Sequence, residues 1–192
     1  MSKRMDAVFK AIDAANAADP TLENDAEGIE QPAALLYGRR MSAELTRICP
    51  SASGLLRIAA RGQHIERWKT PRTTYPEGRP GYLSWRKAQA VFHAARVAGL
   101  MAEAGYVQAD CDRVGQMLRK EGIKRDAEVQ MLEDVICLVF LRWYFPDFAA
   151  RHAPEKVFNI VAKTARKMSA EGRARVAAEF ELPPELIPAL AV

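Results

Sequence analysis

Apolar residues recur every three or four positions along almost the whole chain, a spacing that predicts amphipathic α-helices. No stretch shows the alternating β-branched pattern that is typical of a half-buried strand. Helices are predicted at residues 4–18, 32–48, 52–67, 84–104, 110–120, 127–145, 154–168 and 170–180. We expect Ser51, Ser84 and Asp126 to cap helix N-termini. Gly105 and Gly122 stand where C-terminal caps belong. The predicted fold class is all-α.

Two segments interrupt the helical pattern. Residues 19–31 are acidic and polar, and they predict a surface linker. Residues 68–83 predict a loop that is longer than compact helical domains usually need, and its three prolines favour a stiff structure. The cations in and beside this loop are Arg67, Lys69, Arg72 and Arg79. A rigid basic loop suits a phosphate group, although the same charges could simply be solvated.

The 192 residues predict a single helical domain over 1–192. Within it we expect an N-terminal helix and polar linker (1–31), a core (32–150) and C-terminal helices (151–192). The longest apolar run, 135–141, is too short to cross a membrane, and no secretory signal is visible. Three widely spaced cysteines favour reduced thiols, so we expect a cytoplasmic protein without a membrane anchor.

The net charge of +4 would suit a polyanionic partner, but 24 acidic residues accompany the 28 basic ones. The position of the positive charge is therefore more informative than its total. Aromatic residues interleave with cations in one stretch, comprising Trp68, Tyr75, Tyr82 and Trp85 with Arg67, Lys69, Arg72, Arg79 and Arg86. Such a stretch could stack bases and hold the phosphates of RNA, and a single nucleotide would suit it equally well.

Two of the three histidines are candidates for chemistry. Each is predicted to share a helical stripe with cations, Arg57 and Arg61 for His64, and Arg86 and Arg96 for His93. Cationic neighbours lower the pKa of an imidazole and favour the neutral form that a metal requires. The alternative is that both faces simply point into water.

The adjacent carboxylates Glu133 and Asp134 lie between Met131-Leu132 and the apolar run 135–141. Apolar residues occupy most directions around this predicted helix, so at least one carboxylate should face inward. A buried carboxylate must meet a cation, a metal or a dense hydrogen-bond network. A buried salt bridge to an arginine explains the pair as well as a metal site does.

Five blocks of sequence carry a resemblance to a known family. They are Leu35-Leu36-Tyr37-Gly38-Arg39-Arg40-Met41, Ala60-Arg61-Gly62-Gln63-His64-Ile65-Glu66-Arg67-Trp68, Arg79-Pro80-Gly81-Tyr82, Leu118-Arg119-Lys120-Glu121 and Leu132-Glu133-Asp134-Val135. Together they resemble domain-of-unknown-function family 4202 over nearly the whole chain. This resemblance implies no established activity.

A more remote resemblance is to the HD phosphohydrolases, which are helical metal enzymes with a His, a His-Asp pair and a later Asp. Residues 59–65 look like the helix that bears the His-Asp pair, 92–96 like an accessory-histidine helix, and 132–134 like the helix of the final Asp. Ile65 stands where the aspartate of the pair is expected, and Arg39 or Arg40 stands in place of the first histidine. This resemblance implies a single orthogonal helical bundle of degenerate HD-like form.

The HD resemblance allows two outcomes. In the first, His64, His93, Glu133 and Asp134 bind Mn²⁺, Fe²⁺ or Zn²⁺, and a bound water attacks a small phosphorylated metabolite or nucleotide. The catalytic residues would then be His64, Glu133 and Asp134, and the predicted substrate-binding residues are Arg40, Arg61, Arg67, Lys69, Arg72 and Lys120. In the second, a metal-free pocket binds a phosphorylated ligand or RNA without catalysis.

Relatives in the first family are often labelled glutamyl-tRNA synthetase-like, and Lys167-Met168-Ser169 resembles an element of those enzymes. No nucleotide-binding α/β pattern or companion histidine-glycine signature accompanies it. We therefore interpret these residues as a helix end followed by a serine cap. Phosphate-loop and nucleophile-elbow motifs are also missing, which argues against nucleotide-driven motors and acyl transfer.

Overall fold

The computed structural model describes residues 2–190, and the chain forms two compact units, residues 1–121 and 122–192. We call them the first and the second unit. Both are helical, which confirms the all-α class, apart from one small hairpin. Within the described residues, no helix is both long enough and apolar enough to cross a membrane. The single-domain and orthogonal-bundle arrangements stay predictions.

The first unit contains five helices and a hairpin within its described residues. In chain order they are α1 (Lys3–Asn16), β1 (Leu22–Asn24), β2 (Glu30–Pro32), α2 (Ala33–Ile48), α3 (Gly54–Gly62), α4 (Gly78–Glu103) and α5 (Gln108–Leu118). Helix α3 packs against α1, α2 and α5, and α4 lies along α5. Fully buried side chains such as Ile12, Met41, Ile58, Met101 and Met117 fill the space between them. Each contributes roughly 1.5–3 kcal/mol by leaving water.

The segment 19–31 was predicted to be a surface linker, but with Pro32 it forms a small hairpin. β1 and β2 pair antiparallel, with Glu23 opposite Gln31. The buried Asp19 carboxylate fixes the base of the hairpin by accepting hydrogen bonds from the backbone N–H groups of Thr21 (2.9 Å) and Ala34 (3.0 Å). Three-residue strands are too short for an alternating pattern to be visible in sequence.

The predicted loop 68–83 is shorter in the structure, because α4 begins at Gly78 rather than near residue 84. Two short 3₁₀ turns, Arg67–Lys69 and Arg72–Thr74, fill the remainder. The Arg72 guanidinium donates to the carbonyls of Tyr75, Pro76 and Gly78 and so fixes the entry to α4. Ser84 therefore lies inside a helix and does not cap one.

The third predicted helix, 52–67, also differs at both ends. Its cap is Ser53 rather than Ser51, since the Ser53 hydroxyl accepts the N–H of Leu56 at 3.1 Å. The helix stops at Gly62, where an added Cβ would lie 2.5 Å from Val97. His64 thus falls in the turn after α3 and not on a helical stripe with Arg57 and Arg61.

The second unit is built from four helices within its described residues. They are α6 (Ala127–Val139), α7 (Phe145–Ala150), α8 (Pro154–Lys167) and α9 (Ala170–Glu179), with a 3₁₀ segment at Pro184–Leu190. Asp126 caps α6 as predicted, accepting from the N–H groups of Glu128 and Val129. A π-helical turn, Phe140–Tyr144, joins α6 to α7 and interrupts the regular helix predicted over 127–145. No helix was predicted over the remainder of α7.

Candidate functional site

The two candidate histidines lie together in the first unit. The His64 ring stacks on Tyr37, with centroids 4.1 Å apart and planes 18° from parallel. The His93 ring lies behind it, 5.9 Å from His64. His64 is half-buried and His93 is 3% exposed, so the alternative that both histidines point into water is wrong.

Both imidazoles are neutral at pH 7. Burial is the main cause that lowers the pKa of His93, to about 4, and the nearby Arg67 charge lowers it further. Burial also holds the pKa of His64 well below its usual range, assisted by Arg67, His93, Lys120 and Arg86. The sequence predicted the direction from cationic neighbours, but the larger cause is desolvation.

Arg67 lies beside both histidines and is half-buried. Its guanidinium carbon is 4.5 Å from the centroid of the Trp85 ring, a favourable cation–π contact. Burial lowers the pKa of Arg67, while Tyr37 and Tyr82 raise it. Among the described residues, no carboxylate pairs with this guanidinium. A partly desolvated cation without an anion is costly, and it marks a place where an anion would be stabilised.

Two further cations complete the arrangement. Lys120 and Arg86 both lie close enough to His64 for their charges to lower its pKa. The Arg86 guanidinium lies 5.7 Å from the centre of the Tyr82 ring and has no carboxylate partner among the described residues. We call Arg67, Arg86 and Lys120, together with His64, the cationic cluster.

The backbone before Arg67 is held in an unusual conformation. Glu66 has φ +52°, in the left-handed region that costs a residue with a side chain roughly 1–2 kcal/mol. Its N–H donates to the buried Asn16 side chain at 3.0 Å. Its carboxylate accepts from Lys69 (2.7 Å) and Arg96 (2.9 Å), which lowers the Glu66 pKa although burial opposes the shift. These bonds fix the turn between His64 and Arg67.

The backbone at Lys120 is also left-handed, with φ +61°. It ends α5 as glycine usually would, because Lys120 N–H donates to the Met117 carbonyl and Glu121 N–H to Gln116. Gly105 does the same for α4, as predicted. Gly122 does not end α5 and instead lies two residues further along. A lysine at a position that favours glycine is a strained choice that an anion site near His64 would explain.

Four of the six predicted substrate-binding residues lie outside the cationic cluster, where other groups of the protein hold them. Arg40 pairs with Glu23 at 3.1 Å, and Arg61 makes two bonds to Asp13 at 2.7 and 2.6 Å. Lys69 pairs with Glu66, and Arg72 holds the loop carbonyls. The remaining two, Arg67 and Lys120, lie in the cationic cluster.

Sequence reasoning placed Arg86 on the helical stripe of His93 but did not count it among the substrate-binding residues, and it did not assign Tyr37 to the site. Tyr37 lies in one of the five family blocks, but nothing in its spacing indicates a ring stacked on His64. Arg86 precedes His93 by seven residues, which places both on one face of α4. The same spacing was the reason for expecting Arg86 beside His93.

The carboxylates Glu133 and Asp134 belong to the second unit, on α6, and both are buried. Asp134 accepts from Gln130 Nε2 (3.0 Å), Ser169 N–H (2.8 Å) and Ser169 Oγ (2.6 Å). Glu133 lies 3.9 Å from Lys167 Nζ. The dense hydrogen-bond network that burial requires is therefore present, and it connects α6 to the start of α9.

The synthetase-like element Lys167-Met168-Ser169 takes part in this connection. Ser169 caps α9, since its hydroxyl accepts the Gly172 N–H at 2.9 Å. The Lys167 carbonyl accepts from Gln130 at 2.9 Å. The interpretation as a helix end and a serine cap is confirmed.

The fit to a metal ion is poor. The described residues contain no group of three or more His, Cys, Asp or Glu side chains arranged to hold one. His64 and His93 belong to the first unit, and the charges near His64 are cations, which disfavour a divalent cation. The ligand set His64, His93, Glu133 and Asp134 stays a prediction.

Comparison with known proteins gives one assignment. No curated protein and no solved structure matches the chain. A protein family matches residues 6–189, and it is the family that the five sequence blocks resemble. The remote resemblance to HD phosphohydrolases stays a prediction. The chain belongs to the family described as Domain of unknown function (DUF4202).

Proposed function

We propose that the first unit binds the phosphate group of a small phosphorylated molecule at the cationic cluster. One observation carries the proposal: Arg67 is partly buried among aromatic rings, and no carboxylate of the described residues neutralises it. Burial raises the energy of an unpaired guanidinium, so an anion that reaches it gains more than it would at the surface.

The members of the cluster suit this role in different ways. Arg67 and Arg86 offer planar donor pairs that match two phosphate oxygens. Lys120 adds a point charge. His64 is neutral, so one ring nitrogen can donate a hydrogen bond and the other can accept one. The proposal includes a cytoplasmic location, in keeping with the three free cysteines.

Replacement of Arg67 tests the proposal. We expect Arg67→Met to weaken the binding of inorganic phosphate about tenfold or more, because charge-assisted hydrogen bonds are lost. The free energy of unfolding should change little, because the cost of burying an unpaired charge disappears together with the cation–π contact to Trp85. Isothermal titration calorimetry measures the affinity, and urea unfolding measures the stability.

Arg4→Met is the matched control. Arg4 also lies over an aromatic ring of the first unit, 5.0 Å from Tyr106, beside the last turn of α4. Phosphate should bind this variant as it binds the wild type. Equal phosphate affinity in wild type, Arg67→Met and Arg4→Met would contradict the proposal, and so would a wild type that binds no phosphate.

Metal-dependent hydrolysis of a phosphate ester is the second candidate, and one observation favours it. Both buried ring nitrogens of His93 lack a hydrogen-bond partner of ordinary geometry among the described residues, although the Ile65 carbonyl lies nearby. Elemental analysis of wild type and His64→Ala tests this candidate. Near-stoichiometric Mn, Fe or Zn that the variant loses would support hydrolysis. Absence of metal from both proteins would leave the binding function.

A further inference from the structure

Tyr82 lies at the edge of the cationic cluster. It belongs to the second turn of α4, and 42% of its surface is exposed. The Arg86 guanidinium lies 5.7 Å from its ring centroid, and its phenol is near enough to Arg67 to raise the pKa of that guanidinium. The exposed ring therefore adjoins two cations of the proposed phosphate site.

Each arginine of the cluster lies over a different aromatic ring, and the two rings differ in exposure. Trp85, under Arg67, is 7% exposed, and its indole N–H donates to the Thr70 carbonyl at 2.9 Å. The Trp85 ring is therefore packed inside the first unit and offers little surface to a ligand. Tyr82, under Arg86, lies 6.1 Å from the Trp85 ring and remains open to water. Within residues 2–121, no other aromatic side chain is as exposed.

We infer that the ligand is a mononucleotide, with its phosphate on Arg67 and Arg86 and its base stacked on the Tyr82 ring. This inference rests on the proposed phosphate site. Every nucleobase has a flat π face that an exposed tyrosine can cover, and an arginine beside the ring adds a cation–π contribution. Inorganic phosphate has no group that could cover the ring, and the ribose of a sugar phosphate has no flat π face to stack on it.

The number of exposed rings favours a single nucleotide over a nucleic-acid strand. Proteins that bind single strands stack successive bases on several aromatic side chains along a groove. Trp68 and Tyr75, which also lie in the aromatic and basic stretch, are only half-buried in the structure and less open than Tyr82. One open ring beside one group of cations suits one base and one phosphate.

Calorimetric titration with adenosine 5′-monophosphate, ribose 5-phosphate and inorganic phosphate tests the inference. We expect the nucleotide to bind at least about fivefold tighter than ribose 5-phosphate, the smallest gain typical of one stacked base. Tyr82→Leu should remove this preference and leave the affinity for inorganic phosphate within about twofold. Because Tyr82 is largely exposed, the variant should keep its fold, and circular dichroism checks this.

Tyr106→Leu is the matched control. Tyr106 also carries an arginine over its ring, but it lies just beyond the far end of α4, roughly 30 Å along the helix axis from Tyr82. This variant should keep the nucleotide preference of the wild type.

The outcomes separate the inference from the proposed function. Equal affinity for the nucleotide and ribose 5-phosphate would overturn the inference while the phosphate site stands. A wild type that binds none of the three compounds would overturn both. An oligoribonucleotide that binds more than about tenfold tighter than the mononucleotide, with several stacked bases, would overturn the inference in favour of RNA.

Discussion

Two charged residues removed from water, one in each unit, differ in their surroundings. In the second unit, Asp134 is 3% exposed and receives three hydrogen bonds from Gln130 and Ser169. In the first unit, Arg67 is half-buried, and no carboxylate of the described residues faces it. The hydrogen-bond donors around Asp134 compensate its carboxylate for the loss of water. The charge of Arg67 has no such compensation until an anion binds.

Asp134 therefore has a structural role, whereas Arg67 has the properties of a binding-site residue. Both Asp134 and Arg67 were candidates for chemistry on the basis of sequence, and both are largely removed from water. Burial of a charged group therefore does not by itself indicate function. The presence or absence of protein partners for that charge is the informative difference.

The largest expected effect concerns Asp134. Replacement by alanine removes three hydrogen bonds and leaves the partly buried Ser169 N–H without its acceptor, while the Gln130 amide keeps only the Lys167 carbonyl. We expect Asp134→Ala to lower the free energy of unfolding by about 3 kcal/mol, measured by urea unfolding. Phosphate affinity should not change.

Asp147→Ala is the control for this prediction. Asp147 is an exposed carboxylate at the start of α7 in the same unit, and its loss should cost less than about 0.5 kcal/mol. If Asp134→Ala kept full stability but lost bound metal, Asp134 would be a ligand, and the comparison between the units would fail.

The next effect is a pH dependence that originates in the first unit. The unfolded chain protonates His64 and His93 as the pH falls through about 6.5, whereas burial keeps both neutral in the folded chain until a much lower pH. The contribution of the two neutral histidines to the free energy of unfolding is therefore fully present above pH 6.5 and is lost as the pH falls toward 4. For His93, with a pKa of about 4, we expect a loss on the order of 2 kcal/mol between pH 6.5 and 4.5.

Urea unfolding at several pH values measures this slope. His93→Leu should reduce the slope over the same interval, because the unfolded variant has one proton fewer to take up. A slope that His93→Leu leaves unchanged would show that another group causes the pH dependence.

The smallest effect compares two lysines with left-handed backbones, one in each unit. Lys120 has φ +61° and Lys124 has φ +66°. Glycine is relaxed at such angles, so Lys120→Gly and Lys124→Gly should each stabilise the protein by about 1 kcal/mol. Lys120→Gly should also weaken phosphate binding several-fold, since its charge lies near His64. Lys124→Gly should not, and equal phosphate affinity in both variants would remove Lys120 from the site.

Much of the fold follows from the spacing of apolar residues, because regular helices repeat their buried positions. The predicted boundaries of α2 (32–48) and α8 (154–168) differ from the structure by one residue at most. The start of α4 was missed because Gly78, Pro80 and Gly81 are typical of loops. Here Pro80 occupies the first turn, where it is tolerated, and Gly81 lies against the Pro76 backbone, where a Cβ would clash.

The candidate site was only partly predictable from sequence. His64, His93, Arg67 and Lys120 were identified, because histidines are few and cations next to them are conspicuous. Whether a cation has a protein partner depends on residues far away in the chain. Asp13 neutralises Arg61 from 48 positions away, and Glu23 neutralises Arg40 from 17. No local pattern indicates which arginine is left without such a partner.

The π-helical turn at Phe140–Tyr144 has a consequence for how sequences of this family are compared. Its hydrogen bonds span five residues instead of four, so it accommodates one residue more than a regular turn. Each residue of an α-helix turns the chain by about 100°, so residues after the turn face a different direction than a continuous helix would give them. If residues 127–150 are treated as one unbroken helix when sequences are compared, Phe145 and Phe148 are therefore placed on the wrong face of that helix. A relative that lacks one residue here would differ in length but keep the same arrangement of buried side chains.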